Sequence, residues 1–394
     1  MTMTTIECIG NGCPKGHTEV SAYARENCRI VSGLHCSIEG YAPTRLVSLK
    51  GCAGDAGIRG FLVKDESTRF GLKAFKPLGG IYAMFRIVCA ELGLDYRLTT
   101  LDQILDGTFR DEIAKLTFIT TTDGNHGKGV SWASGIFGSR CHVFMPKGTV
   151  EARAQAVRDA GNAEVTVTDM AYDDCVRYTA ELARRNCWHL IQDTSWPGYE
   201  TIPGWIMQGY TTMVYEALDQ MQTLGYDRPT HVFLQAGVGS MAGTVIGCLR
   251  ATYGDRMPVV ATVEPTEVAC FYESMLAGDG KAHSSHGCNE TIMAGLNCAT
   301  PCGLAWDLAR DYAAFAIRCS DDVTRHGMRF LDRHGIVSGE SGAVTSGLTD
   351  LLLTDGRFRD IKETLGLDGD SVILVISTES DTDPENYRKV ISDL

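Results

Sequence analysis

The chain has 394 residues, of which 44% are hydrophobic and 22% are charged, so we expect two or three globular domains with a large buried core. Its 49 acidic residues outnumber its 36 Lys and Arg residues, and the formal net charge of -13 argues against nucleic acid or an anionic membrane as the main partner. The N-terminal residues lack a basic patch followed by an apolar run, and no stretch approaches the ~18 apolar residues of a membrane span. We therefore expect a cytoplasmic protein.

The cysteines, fifteen in all, are scattered and odd in number. In a long chain without a secretory signal, this pattern indicates reduced thiols and not a disulfide framework. The densest group of potential metal ligands lies near the N-terminus and consists of Cys8, Cys13, His17, Cys28, His35 and Cys36. Its spacing fits no standard zinc ribbon or finger, so we predict no metal site there.

Short β-rich runs alternate with segments of helical periodicity along most of the chain. The predicted strands are Gly60–Val63, Lys115–Thr121, Cys141–Met145, Glu164–Val167, His231–Gln235, Val259–Val263, Ala314–Ile317 and Ser371–Ser377. The predicted helical segments include Gly79–Glu91, Asp173–Arg185, Trp205–Gln222 and Gly342–Leu353. Apolar strands alternating with helices imply parallel sheets covered on both faces, so the pattern predicts an α/β fold with more than one doubly wound unit. Ligands of such folds bind at the carboxyl ends of strands.

A lysine at the expected start of a helix is the first chemically distinctive residue. Within Ser67–Gly80, Lys76 directly precedes a proline suited to the first turn of a helix. The positive end of the helix dipole favours a neutral amine there, and a neutral amine is the nucleophile of Schiff-base chemistry. A solvated lysine at a helix start is the alternative, and Lys73 is the competing candidate.

A glycine-containing loop follows the strand that begins near Lys115. Within Thr120–Gly127, Gly124 and Gly127 allow a tight turn that exposes backbone amides to an anion. The side chain of Asn125 can donate and accept hydrogen bonds, which suits a phenolic oxygen and a carboxylate together. A hydroxyl-rich helix cap, with Asp123 as the N-cap residue, explains the same pattern without a ligand.

A second glycine-rich loop, Gln235–Gly243, follows the strand predicted to end at Gln235. Glycines at a strand-to-helix turn present bare amides to a phosphate at the helix N-terminus. The loop also satisfies the dinucleotide pattern G-x-G-x-x-A, and Glu264 stands where such folds place their ribose-binding acid. A dinucleotide is therefore an alternative ligand. A single phosphate is the simpler one, because the pattern lies past mid-chain and the other loops would have no role.

Together these motifs closely resemble the diaminopropionate ammonia-lyases, a family of pyridoxal-phosphate (PLP) enzymes of fold type II. The likeness runs in order from about Val63 to Asp383 and rests on Ser67–Gly80, Thr121–Gly127, Gln192-Asp193-Thr194, the second glycine loop and Thr378. The family's Thr-Glu-Gly-Asp-Thr reads Thr-Glu-Ser-Asp-Thr here, with Ser380 in place of glycine, and the cysteine-rich N-terminal segment has no counterpart that we can place. The resemblance implies a tryptophan-synthase-β-like fold of two doubly wound α/β domains.

The resemblance implies a role for each matching residue. Lys76 would carry PLP as a Schiff base, and Asp123 and Asp193 resemble the two acidic residues that set this lyase family apart. The other cofactor contacts would be Asn125 at the ring oxygen, Gly237, Val238, Gly239 and Ser240 at the phosphate, Glu340 beside the pocket, and Thr378 at the pyridine nitrogen. The substrate would contact Thr122, Asp123, Gly124, His126 and Asp193.

The activity implied is the elimination of ammonia from D- or L-2,3-diaminopropionate to give pyruvate and two ammonia, as a step of amino-acid catabolism. A neutral hydroxyl on the pyridine nitrogen suits such an elimination better than transamination. A related lyase or dehydratase for serine, threonine or another β-substituted amino acid is the second interpretation, and a dinucleotide-binding or non-catalytic protein is the third.

The family also implies a homodimer and a particular division of the chain. Residues 1–86 and 193–394 would form a large PLP-binding domain. Residues 87–192 would form a smaller, mobile α/β domain that closes over the substrate.

Overall fold

The computed structural model describes residues 4–288 and 290–392, which divide into two compact units. The first unit comprises the chain up to Arg25, the segment Pro43–Thr68 and the chain from Met213 onward. The second unit comprises Glu26–Ala42 and Arg69–Thr212. The domain boundaries at 86/87 and 192/193, and the mobility of the smaller domain, stay predictions.

Each unit is built on its own β-sheet. In chain order the strands of the described residues are β1 (Ile6–Gly10), β2 (Leu46–Ser48), β3 (Gly60–Asp65), β4 (Thr117–Thr121), β5 (Arg140–Met145), β6 (Glu164–Val167), β7 (His189–Leu190), β8 (His231–Gln235), β9 (Val259–Pro265), β10 (Phe315–Cys319) and β11 (Val372–Ser377). The sheet of the first unit has the order β1-β10-β9-β8-β11-β3-β2, and that of the second unit has the order β6-β5-β4-β7.

Helices connect the strands of both sheets. In chain order the α-helices of the described residues are α1 (Arg25–Cys36), α2 (Lys50–Asp55), α3 (Pro77–Glu91), α4 (Leu101–Leu105), α5 (Arg110–Ile113), α6 (Asn125–Phe137), α7 (Glu151–Ala160), α8 (Tyr172–Asn186), α9 (Thr201–Gly209), α10 (Thr211–Thr223), α11 (Ser240–Tyr253), α12 (Cys270–Ala277), α13 (Gly303–Tyr312), α14 (Asp321–Arg333), α15 (Glu340–Thr354), α16 (Arg359–Leu365) and α17 (Pro384–Ser392). None of them is both long and apolar enough to cross a membrane.

The central strands of the first unit run parallel, and only the two edge strands run antiparallel. β10, β9, β8, β11 and β3 pair in parallel, whereas β1 pairs antiparallel with β10 and β2 with β3. Every residue of β3, β8 and β11 is buried, as expected of parallel strands covered on both faces. Because β8 and β11 are parallel neighbours, their carboxyl ends lie at the same edge of the sheet.

The sheet of the second unit is parallel throughout. β4 lies between β5 and β7, so the loops that follow β4 and β7 leave the same edge of the sheet. Helix α3 packs on α6, and a Cβ atom built on Gly129 of α6 would lie only 2.9 Å from Pro77 Cα. Only glycine permits this close approach, which brings the start of α3 against α6.

All eight predicted strands are present, and the prediction of an α/β fold with parallel sheets is confirmed. The predicted helical segment Trp205–Gln222 is two helices, α9 and α10, which are separated at Tyr210. Strands β1, β2 and β7 were not predicted. β1 and β2 are antiparallel edge strands, and β7 has only two residues, so none has the long apolar run on which strand prediction depends.

Candidate active site

Lys76 occupies the predicted place at the start of a helix. It is the N-cap residue of α3, and Pro77 is the first helical residue. The chain leading to it is strained, because Phe70 and Lys73 adopt positive φ angles of 51° and 61°, which are unfavourable for residues other than glycine. The Phe70 ring packs against the Trp132 ring with centroids 4.6 Å apart, so aromatic packing holds this conformation in place.

The Lys76 amine forms a close ion pair with the Asp193 carboxylate, which follows β7 in the same unit. Burial acts to lower the pKa of Lys76, but the Asp193 charge outweighs it and raises the pKa above the usual value. Burial acts to raise the pKa of Asp193, and the ammonium outweighs this effect in turn and holds the pKa below its usual range. The neutral amine expected from the helix dipole is therefore wrong for this structure, because a carboxylate in contact outweighs a partial charge.

The first glycine loop follows β4 and ends where α6 begins at Asn125. Its turn is shaped by the buried Thr122, whose hydroxyl oxygen accepts hydrogen bonds from Gly124 N at 2.9 Å and Gly127 N at 3.1 Å. The hydroxyl at the start of this helix therefore belongs to Thr122. The prediction of Asp123 as the N-cap residue is wrong, because Gly124 occupies that position.

Asp123 lies among charged groups of the second unit. Burial raises the pKa of its carboxyl, Lys76 and Arg153 oppose this change, and Asp193 reinforces it. The Arg153 side chain passes over the loop, with its Cδ 3.9 Å from the position of a Cβ built on Gly124. The structure thus brings two predicted acids, Asp123 and Asp193, into electrostatic contact with the predicted lysine.

His126 is buried in α6 and faces the same cluster. Its Nε2 lies 2.7 Å from the Ile191 carbonyl oxygen. Since a carbonyl oxygen can only accept a hydrogen bond, Nε2 carries the proton and donates it. The other ring nitrogen, Nδ1, lies 3.9 Å from the Asp193 carboxylate. Burial lowers the pKa of His126, which favours the neutral ring. A neutral ring with its proton on Nε2 presents the bare Nδ1 lone pair towards Asp193.

The second glycine loop lies in the first unit, between β8 and α11. Gly239 is the N-cap residue of α11, with a φ angle of 88° and no side-chain cap on the helix. A Cβ atom at this position would lie 2.2 Å from Cζ of Phe271, so both the backbone angle and the space require glycine. Gly237, Val238, Gly239 and Ser240 thus form an uncapped helix start of the kind that binds anions.

Thr378 follows β11 in the same unit and is 5% exposed. Its hydroxyl oxygen accepts a hydrogen bond from Gln235 Nε2 at 3.3 Å, and the same amide donates to the Ile376 carbonyl at 2.7 Å. Gln235 is the last residue of β8, directly before the glycine loop. Since the hydroxyl accepts from Gln235, its own proton is available to an acceptor elsewhere.

Glu340 begins α15 and is 3% exposed, and its carboxylate accepts a hydrogen bond from the Asn386 side chain. The neighbouring Ser341 N donates to the Glu379 carboxylate at 3.1 Å, so Glu379 caps this helix. Ser380, where the family has glycine, is buried and donates through its hydroxyl to the Asp381 carboxylate at 3.0 Å.

Three residues of these loops were not singled out by sequence reasoning: Gln235 and Glu379, which are buried, and Tyr199, which is partly buried. Gln235 and Glu379 act through hydrogen bonds to residues distant in sequence, and Tyr199 acts through a hydrogen bond to the backbone of its own loop. The only sequence signal among them is that Gln235 is a polar residue at the end of an apolar strand, directly before a glycine loop.

Glu264, which the dinucleotide interpretation would place on a ribose, is already engaged. Its two carboxylate oxygens accept from Phe271 N at 2.8 Å and Tyr272 N at 2.7 Å, at the start of α12. Glu264 therefore caps a neighbouring helix, and the dinucleotide interpretation loses its acidic partner.

The N-terminal Cys and His residues are dispersed through the fold. His35 bonds Thr212 Oγ1 at 2.7 Å and Leu78 O at 3.0 Å within the second unit, and Cys13 Sγ lies 3.8 Å from Ser274 O in the first unit. Across residues 4–288 and 290–392, no group of three or more His, Cys, Asp or Glu side chains is arranged to hold a metal ion.

Comparison with known proteins gives the family directly. The sequence profile of the pyridoxal-phosphate dependent enzymes matches residues 38–376. The chain is 43% identical to the diaminopropionate ammonia-lyase of Escherichia coli K12 over 374 residues, which is 94% of this chain and 92% of that protein. It is 40% identical to the lyase of Salmonella typhimurium LT2 over 92% of this chain and 91% of that protein.

A solved structure gives the same result. The crystal structure of the Escherichia coli lyase in complex with D-serine matches with a TM-score of 0.91 and 41% identity, covering 99% of this chain and 97% of that one. The predicted cofactor, pyridoxal phosphate, and the predicted fold-type-II architecture are therefore confirmed. The chain belongs to the pyridoxal-phosphate dependent enzymes and, within them, to the diaminopropionate ammonia-lyases.

Proposed function

We propose that this chain converts 2,3-diaminopropionate and water to pyruvate and two molecules of ammonia. The observation that carries the proposal is the buried pairing of Lys76 with Asp193, with Asp123 in electrostatic contact with both. A lysine that can carry PLP, set among carboxylates that can hold a substrate ammonium, is what this reaction requires. The identity of 43% with a diaminopropionate ammonia-lyase supports the same activity.

The residues assigned to the cofactor fit its chemistry. Lys76 would hold it covalently, and the uncapped start of α11 would take its phosphate, because backbone amides there carry partial positive charge. That phosphate site comprises Gly237, Val238, Gly239 and Ser240. When bound, PLP is an electron sink that stabilises the negative charge developing at the substrate Cα.

The remaining cofactor contacts would orient the ring. The Thr378 hydroxyl accepts from Gln235 and would donate its proton to the pyridine nitrogen, which leaves that nitrogen without a proton of its own. Asn125, at the start of α6, would hold the ring oxygen, and Glu340 would line the pocket.

Proton transfer would use groups of the second unit. Lys76 would take the Cα proton from one enantiomer of the substrate, and Asp123 or Asp193 would take it from the other. The Lys76 ammonium holds the pKa of Asp193 below its usual value and makes it a weak base, whereas burial raises the pKa of Asp123, which makes Asp123 the stronger base of the two. This division of labour would allow both D- and L-isomers to react.

The loop at the start of α6 would bind the rest of the substrate. Thr122, Gly124 and His126 would act there with Asp123 and Asp193. The hydroxyl of Thr122 is committed to Gly124 N and Gly127 N, so its part is to hold the loop open to a substrate carboxylate. The α6 helix dipole favours a negative group at this end.

Asp123 would select the β-ammonium group. An unpaired buried carboxylate costs several kcal/mol, so a serine hydroxyl in the same place would bind less well. Asp123→Ala should lower kcat/KM for diaminopropionate by about 100-fold or more, which corresponds to roughly 3 kcal/mol, and should leave turnover of serine unchanged or raise it. Full activity of this variant on diaminopropionate would contradict the assignment.

A related lyase or dehydratase acting on another β-substituted amino acid is the alternative. Incubation with D- and L-diaminopropionate, serine and threonine, with measurement of 2-oxo acid and ammonia, separates the two. Two ammonia per pyruvate from diaminopropionate supports the proposal. Turnover of serine or threonine alone would still identify a PLP enzyme, but it would reject Asp123 as the residue that selects the substrate.

We further propose that the protein is a homodimer in the cytoplasm. The fifteen cysteines form no disulfide among the described residues, which suits a reducing compartment. Light scattering of the purified protein tests the dimer, and fractionation of the source cells tests the compartment.

A further inference from the structure

The segment that carries Asp193 is anchored at the residue two positions before it. Ile191 N donates to Ile119 O of β4 at 2.8 Å, and Ile191 O accepts from His126 Nε2 at 2.7 Å. Both partners belong to the second unit. The backbone that leads to Asp193 is therefore attached to β4 on one side and to α6 on the other.

A single phenol spans the next turn of this segment. Gln192 N donates to the Tyr199 hydroxyl at 2.9 Å, and that hydroxyl donates to Leu190 O at 2.7 Å. The Tyr199 ring stacks on Trp196, with centroids 4.4 Å apart and an interplanar angle of 23°. One hydroxyl thus satisfies an amide and a carbonyl on either side of Ile191, while its ring is held by a neighbour.

The Gln192 side chain joins the two acid-bearing loops. It is fully buried, and its Oε1 accepts from Thr121 N at 3.1 Å and from Thr120 Oγ1 at 3.3 Å. Its Nε2 donates to the Tyr172 hydroxyl at 3.2 Å. Thr121 is the last residue of β4 and stands two positions before Asp123. The residue next to Asp193 is therefore hydrogen bonded to the strand that leads to Asp123.

We propose that Tyr199 and Gln192 are positioning residues that fix the Asp193 carboxylate against the Lys76 amine and set its separation from Asp123. The proposal rests on the proposed function, since it concerns the groups that would move the substrate protons. Neither residue is assigned a contact with substrate or cofactor, so each would act through Asp193.

The groups that face Asp193 make the position of its carboxylate important. Lys76 contacts it, His126 Nδ1 lies 3.9 Å away, and Asp123 repels it. Coulomb energy in a buried site changes steeply with distance. A displacement of about 1 Å in a reacting group can cost about 100-fold in rate. Loss of the Tyr199 hydroxyl leaves one amide and one carbonyl without a partner, so the segment before Asp193 is expected to move.

The test compares Tyr199→Phe with Tyr178→Phe in the holoenzyme. Both changes remove one phenol oxygen from the second unit. Tyr178 is 42% exposed on α8, with its ring against Phe144, so it is a matched control. For Tyr199→Phe we expect kcat for diaminopropionate to fall about 10- to 100-fold, with KM changed less than threefold. Tyr178→Phe should match the unaltered protein.

A second readout does not depend on turnover. The visible absorbance of the bound cofactor reports the protonation of its linkage to Lys76, and a nearby carboxylate stabilises the protonated form. In Tyr199→Phe the pH midpoint of this absorbance change should fall by about one unit relative to Tyr178→Phe. A role in folding alone would lower the melting temperature and leave both the midpoint and kcat unchanged.

Tyr172→Phe provides a milder version of the same test, because it removes the acceptor of Gln192 Nε2 and leaves the Tyr199 hydroxyl in place. It should change kcat and the absorbance midpoint in the same direction by a smaller amount. Unchanged kcat and midpoint in folded Tyr199→Phe, or in Tyr172→Phe where the former does not fold, would overturn the proposal. If the unaltered protein does not release ammonia from diaminopropionate, the proposed function fails, while the absorbance titration still decides the positioning role.

Discussion

Replacement of Gly239 by alanine should damage the proposed phosphate site far more than the same replacement elsewhere on that helix. Gly239 has a φ angle of 88°, and a Cβ there would lie 2.2 Å and 2.6 Å from two carbons of the Phe271 ring. Gly254, at the other end of α11, also has a positive φ of 57°, but a Cβ there meets no atom within 4 Å. The two variants therefore share the conformational cost and differ in the steric one.

The expected magnitudes follow from these two contributions. A non-glycine residue in the left-handed region costs about 1–3 kcal/mol, and overpacking against a fixed ring adds about 1–3 kcal/mol. Gly239→Ala should thus destabilise the first unit by about 2–6 kcal/mol, a fall in melting temperature of about 4–12 °C at roughly 2 °C per kcal/mol. Gly254→Ala should lower the melting temperature by only about 2–6 °C, because it carries the conformational cost alone.

Cofactor affinity separates this reasoning from a general loss of stability. If the glycine loop moves to relieve the clash, PLP binding measured by absorbance titration should weaken about 5- to 150-fold in Gly239→Ala, the equivalent of about 1–3 kcal/mol. Adding Phe271→Leu should restore part of that affinity, as a coupling between neighbours requires. Equal affinities in Gly239→Ala and Gly254→Ala would refute the steric argument.

Lys76→Ala should leave PLP removable by dialysis and lower kcat by about 10²- to 10⁴-fold. If the variant kept the PLP absorbance after dialysis and had normal turnover, Lys76 would be excluded as the residue that binds PLP covalently. Gln235→Leu leaves the Ile376 carbonyl and the Thr378 hydroxyl without their shared donor, so PLP should bind about 5- to 150-fold more weakly, for a loss of about 1–3 kcal/mol; unchanged binding would show that the donor is dispensable. Burial raises the pKa of Glu264 from 4.5 to about 8, against the opposing amides of Phe271 and Tyr272. Between pH 4.5 and about 8 the folded state keeps a proton on Glu264 that the unfolded chain loses, so the free energy of unfolding should fall as the pH rises through this range. In Glu264→Gln, the free energy measured by chemical unfolding should depend less on pH. The same pH dependence in both proteins would contradict the raised pKa.

Sequence patterns were most informative where the chemistry is local. The apolar runs of the buried strands, the proline after Lys76 and the glycines of both loops each carry their signal within a few residues. All of these lie where they were expected. In contrast, β1 and β2 depend on pairing with strands far along the chain, and β7 is too short to leave a pattern.

The groups that hold the acids in place could not be predicted for the same reason. The bond between Tyr199 and Gln192 is made by an ordinary aromatic residue and a backbone amide, and the bond between Gln192 and Thr121 joins residues 71 positions apart in sequence. The charge state of Lys76 was also inferred wrongly from its helix alone. Only the folded chain brings Asp193 to the amine, and that contact decides which way the pKa moves.

The pairing pattern of the two sheets has a consequence for the order in which the units can fold during synthesis. All strands of the second unit lie within one continuous stretch, from β4 to β7, whereas Gly60 of β3 pairs with Val372 of β11 and Ile6 of β1 pairs with Cys319 of β10. At about 5–20 residues per second, the ribosome delivers those partners roughly 15–60 seconds after the strands that await them. The second unit can therefore complete its sheet while β1 still lacks β10 and β3 still lacks β11, and the sheet of the first unit closes only after β11 has been synthesised.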